Sequence, residues 1–232
     1  MITIKKNKKE FKTLIKILSV YKTLNFELTS EKMIIKSIDY ANISMCKIEF
    51  KKSFFEKYEV IEGKYNACPE LFDKIIKKIS KAEFNLDFKE DIVDMNNSNS
   101  SFTLKLLHNE HINDFPIVDS CSIYKISTEE FFGVMKDYLE FSGIAIIIDN
   151  GTSISFKTKN IQLEGKTIIN AEQIKSSGEQ LCYYDSSYLS FITPLSTLFD
   201  KVNFKFGKDI PAIFSYESDD LMFDWVLAPR GE

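Results

Sequence analysis

Lys74, Lys77, Lys78 and Lys81 recur at i, i+3, i+4 and i+7, a spacing that puts four ammonium groups on one face of a 3.6-residue helix. Lys8, Lys9, Lys12 and Lys16 crowd the start of an earlier helical segment. Such rows suit the evenly spaced phosphates of a nucleic-acid duplex. Lysine is a mobile point charge and not a planar fork, so it meets the backbone without reading bases. An ordinary solvated helix face has the same pattern, and neither row decides between the two alone. The chain is acidic as a whole, with Lys+Arg 30 against Asp+Glu 34 in 232 residues, so any attraction of a polyanion must be local.

Other chemistries find little support. Cys46, Cys68, Cys121 and Cys182 are scattered without a C-x-x-C pair, which argues against a zinc site or a disulfide framework and for reduced intracellular thiols. His108 and His111 form a His-x-x-His pair, but no predicted helix fixes them, and a polar linker explains them better than a metal. With 8 glycines in all, the chain has no phosphate-binding glycine loop, no G-x-S-x-G and no H-E-x-x-H. We therefore expect no catalytic residue, no cofactor and no metal. The 44% hydrophobic content is enough for a core, and the longest aliphatic run, Ile144 to Ile148, is too short to span a bilayer. A soluble intracellular protein without membrane contact is expected. The sequons at Asn42, Asn99 and Asn150 then carry no glycan.

The elements that must position the lysines follow one order twice. A strand (2–4) leads to an amphipathic helix (8–20) with Phe11, Leu14, Ile15 and Leu18 inward, then to strands at 25–28 and 32–37. About 120 residues later comes a strand (122–126), then a helix (128–141) with Phe131, Val134, Met135 and Tyr138 inward. Strands at 144–148 and 153–157 follow, around an Asp149-Asn150-Gly151 turn. Asn85-Leu86-Asp87-Phe88 matches Asn203-Phe204-Lys205-Phe206 in the same way. The pattern indicates an internal duplication of an α+β unit with two helices backed by antiparallel strands. The second helix of the first half turns Leu71, Ile75, Ile76 and Ile79 to the core, and its counterpart is predicted over 185–199. Residues 1–107 and 121–232 form the two domains on this reading, and 108–120 connects them. Phe115-Pro116-Ile117-Val118 is unusually apolar for a linker, which marks it as buried or as a docking surface.

The segment Ile34-Ile35-Lys36-Ser37-Ile38-Asp39-Tyr40-Ala41-Asn42-Ile43-Ser44, the connector Asp114-Phe115-Pro116-Ile117-Val118-Asp119, Ile210-Pro211 and the tail Trp225-Val226-Leu227-Ala228-Pro229-Arg230 resemble the proliferating cell nuclear antigen (PCNA) family of DNA sliding clamps, in an archaeal-like form. The resemblance implies an α+β clamp fold, with three chains in a pseudo-sixfold ring around duplex DNA, held without sequence preference. Lys8, Lys9, Lys12, Lys16, Lys74, Lys77, Lys78, Lys81 and Lys136 would face the DNA. Client peptides would dock on Ile38, Ile43, Phe115, Ile117, Pro211, Val226, Ala228 and Pro229. The subunit interface would join Phe102, Leu104 and Leu106, on 101–107, to Ile161 and Leu163 near 160–168 of the neighbour. The implied partners are DNA polymerase, clamp loader, flap nuclease and ligase, each bound through hydrophobic peptide motifs. The compartment would be cytoplasmic in an archaeon and nuclear in a eukaryote.

The chain departs from that pattern in its second half. Lys136 stands beside Glu129, Glu130, Asp137 and Glu140, and 185–199 has no lysine or arginine. Either a homotrimer holds DNA through its first domains or the chain is one subunit of a heterotrimer. A checkpoint-type clamp paralogue and, more remotely, an α+β enzyme with an unrecognised site are the alternative readings.

Overall fold

The computed structural model describes residues 1–108, 114–119, 121–139, 144–159 and 162–231. They fall into two compact units, 1–114 with 218–223, and 115–217 with 224–232. The first unit contains β1 (Ile2–Ile4), α1 (Lys8–Leu18), β2 (Leu24–Leu28), β3 (Lys32–Ile38), β4 (Ser44–Lys51), β5 (Lys57–Tyr58), β6 (Gly63–Ala67), α2 (Pro69–Ile79), β7 (Phe84–Phe88), β8 (Ile92–Asn97) and β9 (Ser101–Lys105). The second half of the chain contains β10 (Ser122–Ser127), α3 (Thr128–Leu139), β11 (Ile144–Asn150), β12 (Ile154–Lys159), β13 (Glu164–Ile169), β14 (Ala171–Lys175), β15 (Glu179–Asp185) and α4 (Ser186–Leu189). After a 3-10 helix over Ser190–Thr197 come β16 (Lys201–Phe206), β17 (Ala212–Glu217) and β18 (Leu221–Leu227).

The duplication is present at the level of strand order. In the first half the strands lie as β5-β1-β7-β8-β9 and as β4-β3-β2-β6; in the second, as β14-β10-β16-β17-β18 and β13-β12-β11-β15. Each strand of one half has its counterpart nine strands later at the same position. All the registered pairs are antiparallel.

Apolar periodicity explains how each helix docks. Helix α1 buries Phe11, Leu14, Ile15, Ile17 and Leu18. The Phe11 ring lies 5.4 Å from Phe50 on β4 and 6.0 Å from Phe84 on β7, so one side chain touches both sheets of its unit. Truncating such a ring to alanine typically costs about 3–5 kcal/mol. The helix stops at Leu18, two residues before the predicted end, where the Ser19 hydroxyl donates to the Lys16 carbonyl at 2.7 Å.

Helix α2 starts with Pro69 at its first turn and buries Phe72, Asp73, Ile76 and Ile79. This corrects the expected core face. Leu71 is 47% exposed and Ile75 half-buried, because Phe72, packed 5.2 Å from Phe26, sets the inward row at 72, 76 and 79.

In the second unit, α3 buries Phe131, Phe132 and Met135, while Val134 is half-buried; the Tyr138 side chain lies outside the described residues. Phe131 sits 5.5 Å from Phe214 and 5.7 Å from Phe156. The helix predicted over 185–199 is not continuous. Only α4 is α-helical, and the chain tightens to 3-10 geometry at Ser190, four residues before Pro194. A proline there has no N–H for the Ser190 carbonyl and clashes with it in an α-helix. The Thr193 hydroxyl takes that carbonyl instead, at 2.7 Å.

The Asp149-Asn150-Gly151 turn joins β11 to β12 as expected, with Gly151 at φ +83, where L side chains are strained. Asp149 is more than a turn residue. It is buried, and it accepts from the Ser122 hydroxyl, from Tyr124 OH (2.8 Å) and from Gly151 N–H (2.8 Å), which ties β10 to β11. Burial first, then the Asp149 and Asp209 carboxylates, push the nearby Cys182 thiol up to about 12, which disfavours its thiolate.

Candidate nucleic-acid interface and docking segments

Within the first unit, α1 and α2 pack beside each other and both lay their apolar faces on the strands. Their lysines therefore lie on neighbouring helices and away from the core. Lys9, Lys12, Lys16, Lys74, Lys77, Lys78 and Lys81 are exposed, and Lys8 is half-buried.

These lysines are not equivalent. Lys74 is paired with Glu70 at 2.5 Å, one turn earlier, and its own hydrogen bond to that carboxylate raises its pKa. Lys77 is paired with Asp73 at 2.5 Å, and the Asp73 side chain is buried. For Lys9, Lys12, Lys16, Lys78 and Lys81 no carboxylate partner is seen among the described residues. The row that appears uniform in sequence thus divides into tied and untied charges. The i, i+4 spacing of Glu70 to Lys74 and Asp73 to Lys77 was the sequence signal for it.

The second half presents a different surface. Lys136 is exposed on α3, where Glu129 is exposed and Glu130 accepts the Asn170 N–H at 2.8 Å; the Asp137 side chain and Glu140 lie outside the described residues. Ser187, Ser190 and Ser196 are exposed on α4 and the 3-10 helix. The imbalance extends along the chain: residues 1–107 have 20 lysines against 15 carboxylates, and residues 108–232 have 10 basic residues against 19 acidic. The acidic total of the whole chain therefore hides a basic first half.

The residues expected to dock clients are spread over three segments. Ile38 ends β3 and is half-buried, as is Ile43 in the following loop. There Asp39 accepts the Ile43 and Ser44 N–H groups at 2.7 and 2.9 Å, and Asn42 takes a left-handed φ of 57. In the connector, Phe115 is half-buried, while Ile117 is 89% exposed. An isoleucine so exposed contributes little to its own unit's core. Lys36 approaches Asp114 at 3.5 Å, just ahead of Phe115. In the second unit, Pro211 and Ala228 are half-buried and Pro229 is exposed, but Val226 is buried. His111 lies outside the described residues.

The strands expected to join subunits both lie at sheet edges. β9 is the outer strand beside β8, and β13 the outer strand beside β12. On β9, Leu104 is buried and Phe102 half-buried; Leu106, just beyond the strand, is half-buried and donates its N–H to Asp91 on the β8 side at 2.8 Å. By alternation the N–H groups of Ser101, Thr103 and Lys105 face the free side. Ile161 lies outside the described residues, and Leu163 is exposed just ahead of β13. On β13 itself Ile168 is 65% exposed, an apolar side chain on an open edge that sequence reading passed over.

No family model matches the sequence. A curated relative, a probable DNA polymerase sliding clamp 2 of Paramecium bursaria Chlorella virus 1, is 22% identical over 214 residues, covering 89% of this chain and 81% of that protein. PCNA from Thermococcus kodakaraensis has a TM-score of 0.84 at 20% identity, over 99% of both chains. A PCNA2–PCNA3 complex from Sulfolobus tokodaii gives 0.85 at 18% identity, over 100% of this chain and 99% of that one. At this identity the likeness is one of fold, and it spans the chain from end to end. With its duplicated strand order, the four α-helices among its described residues and this match, the chain has the DNA clamp fold of PCNA.

Proposed function

We propose that the chain is a subunit of a DNA sliding clamp, a ring that encircles duplex DNA and tethers a polymerase and other replication or repair proteins to it. The observation that carries the reading is the pair of neighbouring helices α1 and α2 with untied lysines on both. Such groups make weak, sequence-independent phosphate contacts, which hold a duplex but let it slide. The clamp fold and the name of the viral relative point the same way.

Ring closure on this reading joins β9 of one chain to β13 of the next. The duplication supports it. β9 corresponds to β18 and β13 to β4, and within the first unit Lys51, at the end of β4, donates its N–H to Asp220, just before β18, at 3.0 Å. A neighbouring copy would repeat between chains a proximity that already exists within one. Pairing would also cover two edges that otherwise invite aggregation. Ile38, Ile43, Phe115, Ile117, Pro211, Ala228 and Pro229 are the proposed client contacts, with Val226 supporting them from the core.

The test is retention on DNA. The assembled chain should stay on nicked circular DNA and run off the same DNA once it is linearised. Equal loss from both would leave a DNA-binding protein that does not encircle. A heterotrimer is favoured over a homotrimer by one observation, the acidic second half with its hydroxyl-bearing 3-10 helix. Light scattering of the purified chain separates them: a homotrimer has three times the 26.9 kDa chain mass, and a subunit waiting for partners does not.

A further inference from the structure

The chain leaves its two duplicated halves by the same device. After β9, the Leu107 N–H donates to the Asn66 carbonyl on the free side of β6 at 2.8 Å. After β18, the Arg230 N–H donates to the Tyr183 carbonyl on the free side of β15 at 2.9 Å. β6 and β15 are corresponding edge strands. One exit opens the connector that carries Phe115 and Ile117, and the other is the tail that carries Ala228 and Pro229.

A polar side chain secures each exit. Asn66 is 2% exposed, and its Oδ1 accepts from Asn25 Nδ2 at 2.6 Å across the β2–β6 pair. Its Nδ2 then reaches the His108 carbonyl at 3.4 Å. A buried primary amide is tolerated only when its hydrogen bonds are made, and this one spends a donor on the departing chain. Asp185, at the end of β15, bonds Arg230 at 3.4 Å through one oxygen while the other caps α4 through the Ser187 N–H at 3.0 Å.

We propose that Asn66 and Asp185 are positioning residues for client binding, which hold the connector and the tail on their sheet edges before a peptide arrives. Neither touches the client. They act by removing freedom that binding would otherwise have to remove, since ordering a segment on association subtracts from affinity. The inference rests on the reading of these two segments as client contacts.

Calorimetry of the assembled chain with a peptide bearing hydrophobic anchors tests it, beside amide exchange at Leu107 and Arg230. Asn66→Ala and Asp185→Asn should each weaken the peptide by about three- to tenfold, the worth of roughly one net hydrogen bond. Asparagine still caps α4, so Asp185→Asn isolates the Arg230 contact. The corresponding amide should exchange faster in each variant, while oligomer mass and the salt dependence of DNA retention stay put. Arg230→Lys should keep most of the affinity that Arg230→Gln loses, which a purely structural role would not require. Should Asn66→Ala fail to fold, Asp185→Asn keeps the proposal falsifiable, because its contact to Arg230 is part-exposed and outside the core. Variants that match the wild type in affinity despite faster amide exchange would overturn the proposal. A wild-type chain that binds no such peptide would overturn the docking reading beneath it.

Discussion

The ammonium of Lys77 and the carboxylate of Asp73 lie 2.5 Å apart, one turn from each other on α2, and the carboxylate is buried while the ammonium is not. One lysine of the basic face is thus part of the helix's own packing. Asp73 has a second oxygen with no hydrogen-bond partner, so Lys77 is its main compensation.

Charge reversal should therefore separate neighbouring lysines. Lys77→Glu should cost stability, about 1–3 kcal/mol, by placing a second carboxylate against a buried one. Lys78→Glu and Lys81→Glu should leave the melting temperature nearly unchanged, but lower retention on circular DNA and reduce the salt slope by about one per lost phosphate contact. Thermal melts beside retention at several salt concentrations read both effects. Equal retention loss from a matched change at Ser187 would show that the DNA-facing surface is misplaced.

The edge strand makes a sharper test of assembly than its apolar residues do. Leu104 is buried and its N–H points to β8, so Leu104→Pro would disrupt the first unit itself. Lys105→Pro removes an outward N–H instead, from an exposed residue at the strand end. We expect Lys105→Pro to lower the oligomer mass in light scattering with little loss of secondary structure, and Lys105→Ala to leave it intact. An unchanged mass in Lys105→Pro would mean that chains do not pair through β9.

Ile117→Asp probes the connector where its side chain is free. The substitution removes no core contact, so folding and assembly should be unaffected. A charge set against an incoming apolar anchor should weaken a client peptide by about 2 kcal/mol or more, roughly thirtyfold. Titration calorimetry decides it, and full affinity in the variant would place client docking elsewhere.

Glu49 on β4 gives the first unit an acid-sensitive contact. Burial tends to raise its pKa, but hydrogen bonds from Lys32, at 2.5 Å, and Lys47 outweigh that and hold the carboxyl below its ordinary value. A depressed carboxylate pKa stabilises the fold above the unfolded value, about 4.3, and that contribution is lost as pH falls through the folded one. Glu49→Gln should thus be less stable than wild type near neutrality, by about 1 kcal/mol for a half-buried network still reached by solvent. The gap should close in melts run below the usual glutamate range. A gap that widens in acid would reverse the assignment.

Periodicity alone determined much of this molecule. The 11, 14, 15, 18 spacing dictates which side of α1 is buried, and alternation dictates the strands around it, because apolar faces must find cover whatever covers them. The duplication and the apolar connector are legible for the same reason. Facts that depend on which distant residues meet were not. Asn25 and Asn66 are 41 residues apart, and nothing in either neighbourhood announces that their amides face each other and reach the departing chain. Leu71 and Phe72 compete for the inward row of α2, and it is the ring of Phe26 across the layer that decides for Phe72. Pro194 was visible from the start, yet how its neighbours satisfy the carbonyl it leaves unbonded depends on the hydroxyl of Thr193. Which strands end their sheets is likewise a property of the assembled layers, because a free edge is defined by the neighbour it lacks.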